Sequence, residues 1–321
     1  MTLQGVRVAV LVPCHNEEIA ISRVVEDFRT ALPDSEIYVF DNNSTDKTNS
    51  IAAAAGATVR QEFRQGKGHV VRRMFSDVDA DVYVLVDGDD TYDASIAPRL
   101  VETLTDNNLD MINVSRSAAS TDSYRSGHRF GNWFLTSVVS WVFGRKFQDM
   151  LSGYRIFSRR FVKSFPAHSR GFEIETELTV HALELNLPTE EIPAPYKERP
   201  EGSASKLRTF RDGFRILLTI VRLLKNEKPL EFFSTFSLLF IVVASFLSVP
   251  IFETYFETGL VPRFPTAILI VGLVLLAAIS LVCGLVLDTV TRGRRELRRL
   301  FYLQYDPPSS AVDNSKSDNR K

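Results

Sequence analysis

The chain has 321 residues, 45% of them hydrophobic and 24% charged, and 38 Lys and Arg balance 39 Asp and Glu to a formal net charge of −1. This composition excludes an intrinsically disordered chain, and 16 Gly with 14 Pro excludes a collagen-like or proline-rich one. Two cysteines, Cys14 and Cys283, are too few for a disulfide framework or a cysteine-rich zinc site.

The opening apolar run, Val6–Val12, is short and leads into a polar motif without a small-residue cleavage site. It reads as a buried strand rather than a signal peptide, which puts residues 1–205 in the cytosol with Cys14 reduced. Glu36–Asp41, Val82–Asp87 and Met111–Val114 are further Val/Ile/Leu-rich strand candidates. Helical patterns fall at Glu17–Ala31, Thr48–Ala55, Gly68–Val78 and Ser95–Thr105. Alternating strands and helices imply an α/β domain, a mostly parallel sheet with helices on both faces. Such sheets bind ligands beyond the carboxyl ends of their strands.

The polar clusters fall at those ends: Pro13-Cys14-His15-Asn16-Glu17-Glu18, Asp41-Asn42-Asn43-Ser44-Thr45-Asp46 and Asp87-Gly88-Asp89-Asp90, with Gly66-Lys67-Gly68 between the last two. Ser44 or Asp46 alone would read as a helix cap. Asp87 and Asp89 are two carboxylates one residue apart at a strand end, and such a pair can share one hard cation. Mg²⁺ or Mn²⁺ held this way completes its shell with water and phosphate oxygens, and it offsets the charge that builds on a departing diphosphate. Farther on, Glu173, Glu175 and Glu177 form an acidic run, but Glu175 and Glu177 lie on opposite sides of a helix, so only part of it can face one site.

The last third is different in kind. Lys206–Asn226 carries apolar residues at helical spacing with bases opposite, as expected of a juxtamembrane helix on anionic headgroups. Phe232–Phe252 and Phe264–Leu287 have no charge, and each is long enough as a helix to cross a hydrocarbon core of roughly 30 Å. Bases crowd before the first span and after the second, while the connecting loop has Arg263 against Glu253 and Glu257. The positive-inside bias therefore places both ends in the cytoplasm. The expected division is a catalytic domain over 1–205, a juxtamembrane helix over 206–228, a hairpin of two transmembrane helices over 229–290, and a basic cytosolic segment with a disordered tail over 291–321. Gly272, Ala277, Ala278 and Gly284 offer small surfaces through which the spans could form a homo-oligomer.

The front domain resembles a family 2 glycosyltransferase of the GT-A fold. VAVLVPCHNEE resembles the family's opening strand and Pro-x-x-Asn-Glu turn, VFDNNSTDKT its base-recognising second strand, and VLVDGDD its Asp-x-Asp. Within the family, Asp149-Met-Leu-Ser-Gly-Tyr-Arg155 and Arg199-Pro-Glu-Gly-Ser-Ala-Ser-Lys206 are similar to motifs of the dolichyl/polyprenyl-phosphate hexosyltransferase branch, the second with one extra residue before its Ser-Lys. The likeness covers residue 5 to about residue 210.

The resemblance implies a membrane enzyme at the cell (inner) membrane. It would take a nucleotide diphosphate sugar (UDP- or GDP-linked), pass the sugar with inversion to a polyprenyl phosphate of the undecaprenyl or dolichyl type, and feed cell-envelope glycan assembly. No nucleic-acid partner is expected. Carried over by position, Pro13, His15 and Glu17 hold the nucleotide, with His15 standing where Tyr is usual, and Asp41 holds the base. Lys67, Arg199 and Lys206 serve the donor. Asp87 and Asp89 hold Mg²⁺ or Mn²⁺ and the diphosphate. Arg116, Arg129 and Arg155 are candidates for the acceptor phosphate, although Arg155 could instead pair with Asp149 and stabilise its loop. Asp89 and Asp149 are the candidate catalytic carboxylates. A lipid phosphate is already anionic near neutral pH, so it needs aiming more than deprotonating.

Three other readings make different demands. A processive polysaccharide synthase carries a Gln-x-x-Arg-Trp signature, absent around Trp133 and Trp141. A sugar nucleotidyltransferase needs a glycine-rich loop where this chain has PCHNEE. A membrane scaffold or flippase partner with a vestigial site has no use for an intact Asp-x-Asp.

Overall fold

A computed structural model describes residues 5–118, 147–167, 171, 173–197, 199–200, 218, 221–222 and 224–308. Arg129, Lys206 and most of the juxtamembrane segment, 206–217, therefore lie outside the described residues. The chain divides into two compact units, residues 1–217 with 298–321, and residues 218–297.

The first unit is built on a seven-stranded sheet of β1 (Val8–Cys14), β2 (Glu36–Asp41), β3 (Thr58–Gln61), β4 (Val82–Leu85), β5 (Met111–Ala118), β6 (Arg155–Ser158) and β7 (Thr189–Tyr196), in the order β3-β2-β1-β4-β6-β5-β7. Strands β1 to β4 are parallel, as are β5 and β7, while β6 runs antiparallel to both its neighbours. The helices are α1 (Ile21–Ala31), α2 (Thr48–Ala54), α3 (Lys67–Asp77), α4 (Ala97–Asp106), α5 (Arg159–Ser164) and α6 (Ile174–Glu184).

Alternation along the strands divides the core into two faces. Val8, Val10 and Val12 of β1 join Val82 and Val84 of β4 in one buried cluster. Helix α1 covers it with Ile21, Val24, Val25 and Phe28, an apolar stripe at helical spacing, and α4 adds Leu100, Val101 and Leu104. The opposite face is aromatic: Phe75 of α3 meets Tyr83, Phe157 and Phe165 edge-on, and Phe161 stacks on Phe157 with ring centres 4.7 Å apart. Tyr83 and Phe157 are cross-strand partners of β4 and β6.

His181 of α6 completes that aromatic face, edge-on to Phe161 and Phe165, with Nε2 3.2 Å from Ser164 Oγ. Burial, with a smaller push from the charge of Arg298, lowers its pKa to about 3. The unfolded state therefore binds a proton at His181 that the folded state refuses. Its contribution to stability is full above about pH 6.5 and is lost as pH falls toward 3. His181→Phe is expected to flatten the acid limb of a melting-temperature profile over that window. An unchanged profile would contradict the buried, neutral imidazole.

At the opposite edge of the sheet from the carboxyl ends of the parallel strands, the buried carboxylate of Asp110 accepts from Ser158 Oγ at 2.7 Å, from Arg160 at 2.5 and 3.0 Å, and from Tyr302 Oη at 2.9 Å. Arg298 pairs there with buried Glu184. Residues 298–302 thus belong to the first unit by their contacts, an attachment the sequence reading did not anticipate.

The second unit holds α7 (Pro229–Thr258) and most of α8 (Phe264–Tyr302), helices of 30 and 39 residues. Both are long and apolar enough to cross a membrane. A core helix of a soluble protein would bury its apolar side chains, but Phe246 is 78% exposed and Val282 62%. Helix α8 runs on past the expected span end at Leu287, through residues where Asp288 and Arg292 pair at 2.8 Å one turn apart. Within the hairpin, a Cβ on Gly284 would lie 3.0 Å from Phe233 Cβ and 3.4 Å from Leu230 Cα, so a larger residue there would push its neighbours by a few tenths of an ångström. Gly284 and Ala277 are buried, and Gly272 meets nothing within 4 Å. Of the small residues expected to serve self-association, Gly284 and Ala277 are therefore spent within one chain.

Candidate active site

The strand order reverses at β1. The chain runs from β1 outward through β2 to β3, then returns to place β4 on the other side of β1. The crevice beyond the carboxyl ends of β1 and β4 is the switch point where such sheets take ligands. Since β6 is antiparallel, its first residue, Arg155, lies beside Leu85 at the end of β4. That register carries the loop Phe147–Tyr154 to the same edge. Pro13, His15, Glu17, Asp41, Lys67, Asp87, Asp89, Arg116, Asp149 and Arg199 accordingly gather along one edge of one sheet.

The first two clusters are laced together. Asn16 Oδ1 accepts from the N–H of Thr45 at 2.7 Å, Thr48 Oγ1 accepts from the N–H of Glu17 at 2.8 Å, and Asp46 accepts from both groups of Thr48. Asp46 lies one residue before the helix cap, Lys47, and steadies the first helical residue, Thr48, rather than capping the helix itself. This lacing holds residues 17–20 in a turn, so α1 begins at Ile21 rather than at Glu17. His15 donates from Nδ1 to the carbonyl of Asn42 at 2.9 Å, and Gln65 donates to its Nε2 at 3.3 Å. Asp41 is 2% exposed, and its carboxylate faces the N–H of Ser44 at 3.3 and 3.4 Å.

Asn42, which sequence reasoning passed over, clamps the next loop. Its amide donates to the carbonyls of Glu62 and Arg64 at 2.8 and 2.9 Å and accepts from Gly66 N–H at 2.7 Å. Asn42→Ala removes all three and is expected to destabilise by about 1–3 kcal/mol. A wild-type melting temperature would contradict the clamp.

The centre is a row of ion pairs in which Asp87 and Asp89 stand side by side, each held by a cation. Lys67, the first residue of α3, places Nζ 2.5 Å from Asp87 Oδ1 and 2.6 Å from Glu175 Oε1. Burial would lower the Lys67 pKa, but the two carboxylates outweigh it and hold the ammonium charged. Asp89 Oδ2 lies 2.6 Å from Arg199, and its Oδ1 accepts from Thr91 Oγ1 at 2.6 Å. Burial, then repulsion from Asp87, raises the Asp89 pKa against the pull of Arg199 and Thr91. Behind Asp87 stands Gly153. A Cβ there would fall 2.1 Å from Asp87 Oδ2, so only glycine leaves the carboxylate its place. Tyr92 Oη accepts from the N–H of Gly153 at 2.9 Å and fixes that backbone.

Two mutually repelling carboxylates of hard oxygen donors, cradled against a residue without a side chain, suit a hard divalent cation. Among the described residues no group of three His, Cys, Asp or Glu gathers to hold a metal. The rest of the coordination shell would have to come from water and a diphosphate.

Asp149 and Arg116, predicted for separate jobs, are joined. Arg116 Nε lies 2.6 Å from Asp149 Oδ2 and its Nη2 2.8 Å from Oδ1, a bidentate pair with the guanidinium 5.5 Å from the Tyr196 ring centre. Both oxygens of Asp149 are engaged by the Arg116 guanidinium, so Asp149 fixes the plane of that side chain. Glu191, with no signal in the sequence, accepts from the N–H groups of Gln148 and Asp149 at 2.7 and 3.0 Å and steadies their loop.

Arg155 is fully buried and donates to the carbonyls of Met150 and Ser152 and to Thr179 Oγ1. It braces the Asp149 loop and does not fit the acceptor-phosphate role expected of it. Its loop-stabilising alternative holds, although Arg116, not Arg155, makes the direct ion pair with Asp149. Of the acidic run, Glu175 enters the centre through its ion pair with Lys67.

The Glycosyl transferase family 2 model matches residues 9–165. Glycosyltransferase AglJ of Haloferax volcanii is 33% identical over 71% of this chain and 75% of that protein. A dolichyl-phosphate hexose transferase of the same organism is 27% identical over 68% of this chain and 95% of that protein. Among solved structures, glucosyl-3-phosphoglycerate synthase from Mycobacterium tuberculosis, in complex with Mn²⁺, UDP and glucosyl-3-phosphoglycerate, superposes with a TM-score of 0.56 at 22% identity. That likeness covers 69% of this chain and 80% of that one, and it is a likeness of fold.

Proposed function

The chain belongs to glycosyl transferase family 2, and from that premise we propose that it moves a sugar from a nucleotide diphosphate sugar to a polyprenyl phosphate, with inversion at the anomeric carbon. The observation that carries this reading is the pairing of Asp87 with Lys67 and of Asp89 with Arg199 at the switch point of the sheet. In it, Asp87 and Asp89 hold Mg²⁺ or Mn²⁺, which when bound stabilises the diphosphate as its bond to the sugar breaks. Lys67 and Arg199 supply positive charge to the same diphosphate. Asp41 takes the base, and Pro13, His15 and Glu17 line the nucleotide. Arg116 offers a guanidinium to the acceptor phosphate, with Asp149 setting its plane. Arg129 and Lys206 keep the roles their motifs imply.

The lipid acceptor is favoured over a soluble one by two apolar helices that would hold the chain in the bilayer, with both termini cytoplasmic, and by the dolichyl-phosphate relative. The parts are then a catalytic domain over 1–205, a juxtamembrane helix, a transmembrane hairpin and a basic cytosolic end. The test is to incubate the purified full-length protein with Mn²⁺, undecaprenyl phosphate and a panel of radiolabelled UDP- and GDP-sugars. Label is expected in an organic-extractable, acid-labile lipid. Label passing to 3-phosphoglycerate and not to the lipid would overturn the acceptor.

A further inference from the structure

Glu175 is a buried carboxylate whose place the reaction does not by itself explain. It sits in the first turn of α6 with its side chain 6% exposed, its Oε1 is 2.6 Å from Lys67 Nζ, and its Oε2 is buried without a hydrogen-bond partner. Burying a carboxylate is costly unless a specific interaction compensates. The compensation here is Lys67, whose side chain is 8% exposed, whereas Asp87 on the other side of the ammonium is 29% exposed. The ammonium therefore bridges one inaccessible anion and one that is partly open to solvent.

The accessible partner is also the oxygen source for a divalent cation. An ammonium bound to Asp87 alone would compete with the cation, and once displaced it would be drawn out to water on a flexible stem. A second, buried anion changes both outcomes. It takes a share of the ammonium away from Asp87, and it keeps the ammonium in the site when Asp87 turns to the cation. The formal charges agree: three carboxylates (Asp87, Asp89, Glu175) against two cations (Lys67, Arg199) leave the cluster one negative charge. A divalent cation arriving with a sugar-linked diphosphate leaves that balance unchanged.

Resting on the donor-site reading above, we propose that Glu175 is a positioning residue that tethers Lys67, so that the ammonium exchanges Asp87 for a diphosphate oxygen without leaving the site. Glu175 touches neither donor nor cation. It acts through Lys67, which makes its effect separable from a structural one.

The test compares full-length wild type, Glu175→Gln and the double variant Lys67→Met/Glu175→Gln, neither of which leaves an unpaired buried charge at position 67 or 175. Mn²⁺ binding without nucleotide is read by electron paramagnetic resonance, and UDP and GDP binding in Mn²⁺ by calorimetry. With Glu175 neutral, the ammonium leans more heavily on Asp87, so Mn²⁺ alone binds more weakly than to wild type. With the ammonium gone too, Mn²⁺ alone binds more tightly than to wild type. The nucleotide that wild type prefers binds both variants about tenfold more weakly. Equal weakening of Mn²⁺ binding in the two variants, or wild-type binding by Glu175→Gln, would overturn the tether. A wild type that takes up no Mn²⁺ with either nucleotide would instead overturn the donor-site reading, and the tether with it.

Discussion

Asp89→Asn is expected to lower turnover by about a thousandfold or more while leaving the melting temperature near that of wild type, relief of the repulsion from Asp87 offsetting the lost Arg199 pair. The two effects have separate causes. Asp89 is buried, and its carboxyl is held above the usual range by that burial and by Asp87. Removing its charge relieves a repulsion in the resting protein. The amide can still accept from Thr91, but it turns an N–H toward Arg199, donor against donor, where the carboxylate made an ion pair at 2.6 Å. It also loses the negative charge that would help hold the cation. EDTA should stop wild type in the same way, and added Mn²⁺ should restore wild type but not the variant. Substantial turnover by Asp89→Asn, or by wild type in EDTA, would remove the assignment.

Gly153→Ala is expected to be nearly as damaging, by at least about a hundredfold, although it alters no charged group. The methyl would fall 2.1 Å from Asp87 Oδ2 and 2.6 Å from its Cγ. The atoms in the way are the end of a side chain, so the carboxylate can swing aside and the domain can fold. Swinging aside takes Asp87 from both Lys67 and the position it shares with Asp89. The expected result is a folded protein with a near-normal melting temperature, weak Mn²⁺ binding and little turnover. Full activity would mean that Asp87 acts from another position.

The sequence displays the strands that are buried on both faces, because such strands are continuous apolar runs: β1, β2, β4 and β5 all read that way. It conceals the others for physical reasons. Strand β3 is a four-residue edge, Thr-Val-Arg-Gln, with no apolar run, and β6 has only Ile156 and Phe157 between polar ends. Strand β7 carries Pro193 and Pro195, which a strand tolerates at an edge, and nothing local distinguishes it from a loop. The antiparallel turn of β6 is therefore also invisible, and with it the approach of Gly153 to Asp87.

The placement of the candidate residues was legible where polar clusters fall at strand ends: Asp41 ends β2, Lys67 opens α3, and Asp87 and Asp89 follow β4. It was not legible where a partner arrives from a distant element. Glu175 and Glu191 look like members of ordinary acidic runs until Lys67 and the backbone of residues 148–149 meet them. Arg155 shows the reverse case, since a motif arginine has no mark that separates a ligand from a brace.

Calorimetric titration of UDP and GDP into the full-length protein, in Mn²⁺ and again in EDTA, bears on the donor site with the fewest intervening assumptions. One of the two nucleotides should bind in Mn²⁺ and bind at least about tenfold more weakly both in EDTA and to Asp87→Asn. Equal affinity under all three conditions would contradict a cation shared between Asp87, Asp89 and a diphosphate.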